Sequence, residues 1–170
     1  MALIKTIRGK IPQFGTNCFL AETAVVLGDV TMGNDCSVWY NTILRGDVHF
    51  IKIGHSVNIQ DGTVIHCTYK KSPVTIGDEV SIGHNALIHG CTIEDRVLIG
   101  MGAIIMDDVV VQTGSMVAAG AIVPPRRILE SGFVYAGNPA RKLKPLDEED
   151  FAFFISRTAE NYKMYAGWHL

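Results

Sequence analysis

An aliphatic residue recurs every six positions through most of this 170-residue chain. Val26, Met32, Val38 and Leu44 set the rhythm, which slips by three residues near Phe50 and resumes at Ile53, Ile59 and Ile65. After a short insertion it returns at Ile76, Ile82 and Ile88. One five-residue step then leads to Ile93, Ile99, Ile105, Val111, Val117 and Val123. Glycine often follows the aliphatic residue, and a small or β-branched residue often sits four positions after it. No apolar period of about 3.6 residues runs through this stretch, which excludes helix. A period of six is too short for a strand–helix unit and too long for simple alternation. It fits a strand of about four residues and a tight turn, three of which close a triangular coil of about 18 residues. Stacked coils hydrogen-bond as parallel strands about 4.8 Å apart, with the aliphatic position pointing into the prism. Glycine at the corners is expected to supply backbone conformations that residues with a Cβ reach poorly.

The pattern resembles the left-handed parallel β-helix of hexapeptide-repeat proteins. The hand is what the resemblance implies, since general crossover rules favour the opposite one. About 14 hexads make about five coils, with residues 1–25 adding part of another. Pro124-Pro125 is expected to end the repeat, Gly132–Tyr135 to form a returning strand, and Gly137-Asn-Pro-Ala-Arg141 a turn. Asp147 is a candidate N-cap, followed by Glu148, Glu149 and Asp150 in the positive first turn. Phe151, Phe154, Ile155, Tyr162 and Tyr165 then fall on one helical face, a packing surface. The expected organisation is a β-helix over residues 1–145 and a helix within 146–170, packed along the prism or against a neighbouring subunit.

Composition removes several functions. The chain is 48% hydrophobic and 19% charged, which is a folded composition. A net charge of −2, with no basic run beyond Lys70-Lys71 or Arg126-Arg127, argues against nucleic acid as a partner. The start, Met1-Ala-Leu-Ile-Lys-Thr, has no apolar core of a signal peptide, and no run approaches a membrane span. Four cysteines without a CxxC pair read as reduced thiols in a cytoplasmic protein.

Of six histidines, His49, His55 and His169 read as surface or hydrogen-bonded residues. The other three differ in phase. His66 follows the hexad residue Ile65 and His89 follows Ile88, a separation of 23 residues. That is one coil plus an excess that a loop around Lys70–Pro73 absorbs. His66 and His89 should therefore share one edge of the prism, a coil apart, and reach one metal ion. His84 lies a hexad earlier than His89, about 16 Å away in extended chain at about 3.3 Å per residue. Ligand Cα atoms on one ion lie at most about 13 Å apart, given metal–nitrogen bonds of about 2.0–2.1 Å. A threefold homotrimer resolves this, with His84 of one subunit meeting His66 and His89 of the next. Three ligands with an open fourth position are the pattern of a catalytic zinc site.

The segments Leu44-Arg-Gly-Asp47, Asn58-Ile-Gln-Asp-Gly-Thr-Val-Ile-His66 and Ile82-Gly-His-Asn-Ala-Leu-Ile-His-Gly90 resemble the γ-class carbonic anhydrases. So does the tail Tyr135-Ala-Gly-Asn-Pro-Ala-Arg141. The resemblance implies a trimer that binds zinc, or iron or cobalt, between subunits, with His66, His84 and His89 as ligands. It implies that Arg45 and Asp47 join neighbouring subunits near the site. Asn58 and Gln60 would position bound water, Asp61 belongs to the same motif, and Tyr135 would line the pocket. The implied activity is reversible hydration of CO2 to bicarbonate. A divalent ion on three neutral imidazoles lowers the pKa of its water to about 7, giving hydroxide at neutral pH. Arg45 beside the site would favour binding and release of bicarbonate, and it equally fits an intersubunit ion pair with Asp47. The family's acidic proton-carrying residues are missing, since Val48-His49 follows Asp47 and Cys67 follows His66. Cys67 and Cys91 read as small apolar fillers. The competing readings are acyl-CoA thioester hydrolysis or acyl transfer on the same scaffold, and a catalytically weak metal-binding trimeric assembly protein.

Overall fold

The computed structural model describes residues 1–169; Leu170, at the end of the expected helical segment, lies outside the described residues. The hexad residues stack as three inward columns. Val26, Leu44, Ile65, Ile88, Ile105 and Val123 follow one another in register along one face. Met32, Ile53, Ile76, Ile93, Val111 and Leu129 form the second column. Val38, Ile59, Ile82, Ile99, Val117 and Tyr135 form the third. Nearly every inward side chain is out of contact with water, and burying each contributes on the order of 2 kcal/mol. The expected class, a left-handed parallel β-helix closed by a C-terminal helix, is the one observed. The four cysteines are free thiols.

Corner glycines are of two kinds, and Gly62, Gly102, Gly114, Gly120 and Gly132 take the expected left-handed conformation, with φ between 66° and 77°. Gly33, Gly77, Gly83 and Gly100, which directly follow the hexad residue, are not in the left-handed region. They are small because the next coil lies against them: a Cβ on Gly83 would meet the Met101 backbone nitrogen at 2.7 Å, and one on Gly100 the Ala119 nitrogen at 2.4 Å. The left-handed residue comes two positions later, at Asp35, Ser56, Glu79, Asn85, Arg96 and Asp108, with φ between 53° and 59°.

The repeat does not end at Pro124-Pro125. Both prolines occupy a corner, Arg126 takes the left-handed position at φ 61°, and Ile128–Leu129 pairs in parallel with Val110–Val111. Phe133–Ala136 is likewise another parallel rung, on Met116–Val117, rather than a returning strand. The reversal follows the Gly137–Ala140 turn, where Arg141–Pro145 runs antiparallel to Phe133–Ala136 and closes the sheet. Lys142 and Lys144 on this last strand pair with Glu130 and Asp150.

Asp147 caps the helix as expected, accepting a hydrogen bond from the Asp150 amide at 2.8 Å. The helix spans Glu148–Gly167, with a wider π turn at Phe151–Ser156. Ile155, Ala159 and Ala166 are buried, and the Tyr162 ring meets Trp39 edge-on at 5.3 Å. Phe154, expected on the packing face, is 37% exposed. The helix covers the third face, so the outward residues Ser37, Asn58 and Ser81 are buried beneath it. Among the described residues no element covers the first face in this way. Its outward positions, Leu3, Val25, Ile43, Val64, Leu87, Ile104 and Ile122, form an aliphatic stripe in continuous register. Among the described residues no helix is long and apolar enough to cross a membrane.

Candidate metal centre

Two departures from the six-residue rhythm frame the candidate site. At the first, the register between Val25–Met32 and Ile43–Ile53 jumps from Gly28↔Gly46 to Val30↔Ile51, so Asp47–Phe50 bulges outward. At the second, Cys67–Pro73 forms a loop pinned by a Thr68↔Ser72 bridge. Between them His66 and His89 stand opposite each other on neighbouring strands, as their phase requires. Nδ1 of His66 lies 3.2 Å from Nε2 of His89.

The distal nitrogen of each ring is committed to a carboxylate. His66 Nε2 donates to Asp47 Oδ1 at 3.1 Å, and His89 Nδ1 donates to Asp107 Oδ1 at 2.5 Å. When both rings are neutral with their protons there, the two facing nitrogens both carry lone pairs. Two lone pairs this close repel unless a cation lies between them. Nitrogen ligands at about 2.0–2.1 Å from a tetrahedral ion are themselves about 3.3 Å apart, so the pair fits two corners of such a site. The carboxylate–imidazole arrangement is the usual support of a ligating histidine.

Electrostatics favour the ligand forms. Burial, followed by the nearby Arg45 charge, lowers the pKa of His66 and keeps its imidazole neutral. Burial pushes Asp47 up, but hydrogen bonds from Arg45 and His66 outweigh it and hold the carboxyl below its usual value. Asp107 behaves alike, with burial opposed by hydrogen bonds from Thr68 and His89. Burial pushes the Cys67 thiol up to about 11 and raises Cys91 as well, so both are protonated fillers.

His84 lies on a different corner, between Ser81–Ile82 and Leu87–His89. Its Nδ1 donates to Asp61 Oδ2 at 2.9 Å, and its Nε2 lies 3.3 Å from the Tyr162 hydroxyl. Among the described residues of one chain, no three His, Cys, Asp or Glu side chains converge on a metal position. One subunit thus presents a pair of candidate ligands and, separately, a single one. Gln60 and Asn58 belong with the single ligand. The Gln60 amide donates to Asn58 Oδ1 at 3.0 Å, and the Asn58 amide to Ser81 Oγ at 2.7 Å. Gln60 borders a 290 Å³ cavity, which His84, Leu98, Met116, Phe154 and Tyr162 also line.

Arg45 and Asp47 pair with each other within the chain at 2.8 Å, as residues two apart on a strand share a face. One sequence expectation changes. Tyr135 is the last inward residue of the third column, buried, with its hydroxyl accepting from the Glu130 amide at 2.7 Å. Four strand steps separate it from Asn58–Ile59, about 19 Å at about 4.8 Å per step, so it lines no pocket beside Gln60. Two residues were missed. Asp107 is the carboxylate on His89, and Tyr162, read only as packing surface, also touches His84. His49 and His55 are hydrogen-bonded to backbone amides as expected, and His169 meets the Tyr40 hydroxyl.

Residues 90–125 match the family described as bacterial transferase hexapeptide (six repeats). The chain is 46% identical over 165 residues to gamma carbonic anhydrase 1, mitochondrial, of Arabidopsis thaliana, covering 94% of this chain and 60% of that relative's length. It is 36% identical over 148 residues to the carbonic anhydrase of Geobacillus kaustophilus, covering 87% of this chain and 81% of the relative. A hexapeptide transferase family protein from Anaplasma phagocytophilum superposes with a TM-score of 0.94 at 38% identity, over 99% of this chain and 98% of that one. With the paired histidines on a β-helix that carries this likeness along nearly its whole length, the chain belongs to the γ-carbonic anhydrase family of hexapeptide-repeat proteins.

Proposed function

We propose that the chain is a metal-dependent carbonic anhydrase that works as a homotrimer, hydrating CO2 reversibly to bicarbonate. In this reading His66 and His89 of one subunit and His84 of the next hold a divalent cation, zinc in the first instance, with iron or cobalt as alternatives. The observation that carries it is the 3.2 Å approach of two lone-pair nitrogens, each backed by a carboxylate. A divalent cation, when bound, supplies the acidification of water that makes a nucleophile available at neutral pH. The uncovered aliphatic stripe beside His66 and His89 supports the trimer, because an apolar column of that length is what a second copy would cover.

The chain's own residues divide the remaining work. Asp47, Asp107 and Asp61 orient the three rings. Gln60, locked by Asn58, turns a neutral acceptor toward the reacting water without adding charge. Leu98, Met116 and Phe154 give an apolar wall suited to a nonpolar substrate such as CO2. Neither Val48 nor Cys67 can accept the product proton, so proton release to buffer should limit turnover.

The test is metal content per trimer and stopped-flow CO2 hydration, with His84→Ala as control. Hydration that rises several-fold with imidazole buffer and vanishes in His84→Ala is expected. A metal-loaded wild-type trimer with no hydration overturns the proposal. A second reading, acyl-CoA thioester hydrolysis or acyl transfer, draws on the 290 Å³ apolar cavity next to His84. Thioester cleavage in the same preparation, without hydration, would favour it; metal with neither activity would favour an assembly protein.

A further inference from the structure

Nothing in the hexad rhythm requires a carboxylate at Asp107, which occupies a corner directly after Ile105-Met106. Its two oxygens serve two different elements. Oδ1 accepts from His89 Nδ1 at 2.5 Å, and Oδ2 accepts from Thr68 Oγ1 at 2.5 Å. Thr68 belongs to the loop that interrupts the repeat after His66, and the far end of that loop, Ser72, donates to Asp108 Oδ1 at 2.7 Å. Room for this arrangement exists because Gly90 has no side chain. A Cβ there would meet Asp107 Oδ1 at 2.6 Å and Ser72 Cβ at 2.8 Å.

An imidazole can carry its single proton on either nitrogen, and only one choice aims a lone pair from His89 Nε2 at His66 Nδ1. We propose that Asp107 is a positioning residue that fixes His89 in that tautomer. Thr68, from the loop, in turn holds Asp107 in place, so the insertion acts on metal affinity without touching the metal. This rests on the reading of His66, His84 and His89 as ligands.

Zinc affinity of the trimer, measured by competition with a chromophoric chelator, tests it. Asp107→Ala should weaken affinity about 10–100-fold. Asp107→Asn, which keeps an acceptor oxygen for His89, should recover part of the loss. Thr68→Val should weaken binding a few-fold, whereas Ser72→Ala, whose hydroxyl holds Asp108 instead, should stay within about twofold of wild type. A second readout needs no metal. Ring 15N shifts of His89 in the chelator-treated trimer should show Nδ1 protonated and Nε2 bare, and Asp107→Ala should give a mixture of tautomers. Asp107→Ala with wild-type affinity and a single tautomer overturns the proposal, as does Ser72→Ala weakening zinc as much as Asp107→Ala. Should the wild-type trimer take up no divalent metal, the proposed function fails, while the ring shifts still decide the role of Asp107.

Discussion

Two faces of the same prism solve the same burial problem in opposite ways. On one face the chain's own helix lies over the small polar outward residues Ser37, Asn58 and Ser81, which apolar Phe19, Leu98, Met116 and Val134 flank in the same column. On the face bearing Val25, Ile43, Val64, Leu87 and Ile104, the outward residues are aliphatic and the chain supplies no cover. The candidate ligands divide along the same line. His66 and His89 flank the bare face, while His84 sits beside the helix and touches Tyr162. A self-covered face can hold a polar network such as Gln60–Asn58–Ser81 in fixed geometry. A bare aliphatic face gains only when something apolar is brought against it. In the proposed trimer the site's chemistry is therefore split between a half fixed within one subunit and a half that the neighbouring subunit completes.

The largest expected effect comes from recombining the two halves. His84→Ala and His89→Ala should each abolish metal uptake and CO2 hydration. Co-refolded as a mixture, they should regain about a quarter of the sites, since random pairing puts an intact His66–His89 pair against an intact His84 in that fraction of seams. No recovery, measured as zinc per trimer, would place the site within one chain. Next is the bare face itself. Leu87→Asp puts an uncompensated charge where the stripe would be covered, a cost of about 3–5 kcal/mol per seam. Sedimentation should then show monomers, whereas Thr75→Asp, outward on the remaining face, should leave the assembly intact. A smaller effect is expected from Tyr162→Phe, which keeps the packing against Trp39 but removes the hydroxyl beside His84. Nε2 is the nitrogen His84 would turn to the metal, so the hydroxyl competes for its lone pair, and removing a contact of about 0.5–1.5 kcal/mol should raise metal affinity a few-fold in the chelator competition. The smallest concerns Cys67, whose thiol burial pushes up to about 11. Iodoacetamide at pH 8 should leave it unmodified in the folded protein, and labelling should begin only as pH approaches that value or the chain unfolds.

Much of this was legible because the coil turns sequence spacing into spatial register. The pairing of His66 with His89 follows from counting, once the loop at Thr68–Ser72 is allowed for. Pro124-Pro125 suggests an end to the repeat because proline is disfavoured within a sheet. At a corner it breaks no ladder hydrogen bond, and Leu129 and Tyr135 keep the six-residue step beyond it. Tyr135 was assigned to the pocket from its motif, whereas its phase alone marks it as inward. Asp107 is harder to read, because it reaches His89 from an adjacent corner through a gap that Gly90 leaves. Tyr162 is harder still. Helical periodicity tells which face of the helix packs, but not at what height along the prism it docks, and only that height brings the hydroxyl to His84.

The antiparallel strand Arg141–Pro145 has a wider consequence. A stack of parallel rungs has no natural end, since each exposed edge is a template for another copy of itself, and unguarded templates of this kind grow into fibres. By turning back, the chain offers any newcomer at this edge a mismatched ladder studded with lysines. The face under the helix is thereby shut to a further parallel rung, which on the proposed reading leaves the sides of the prism for partners.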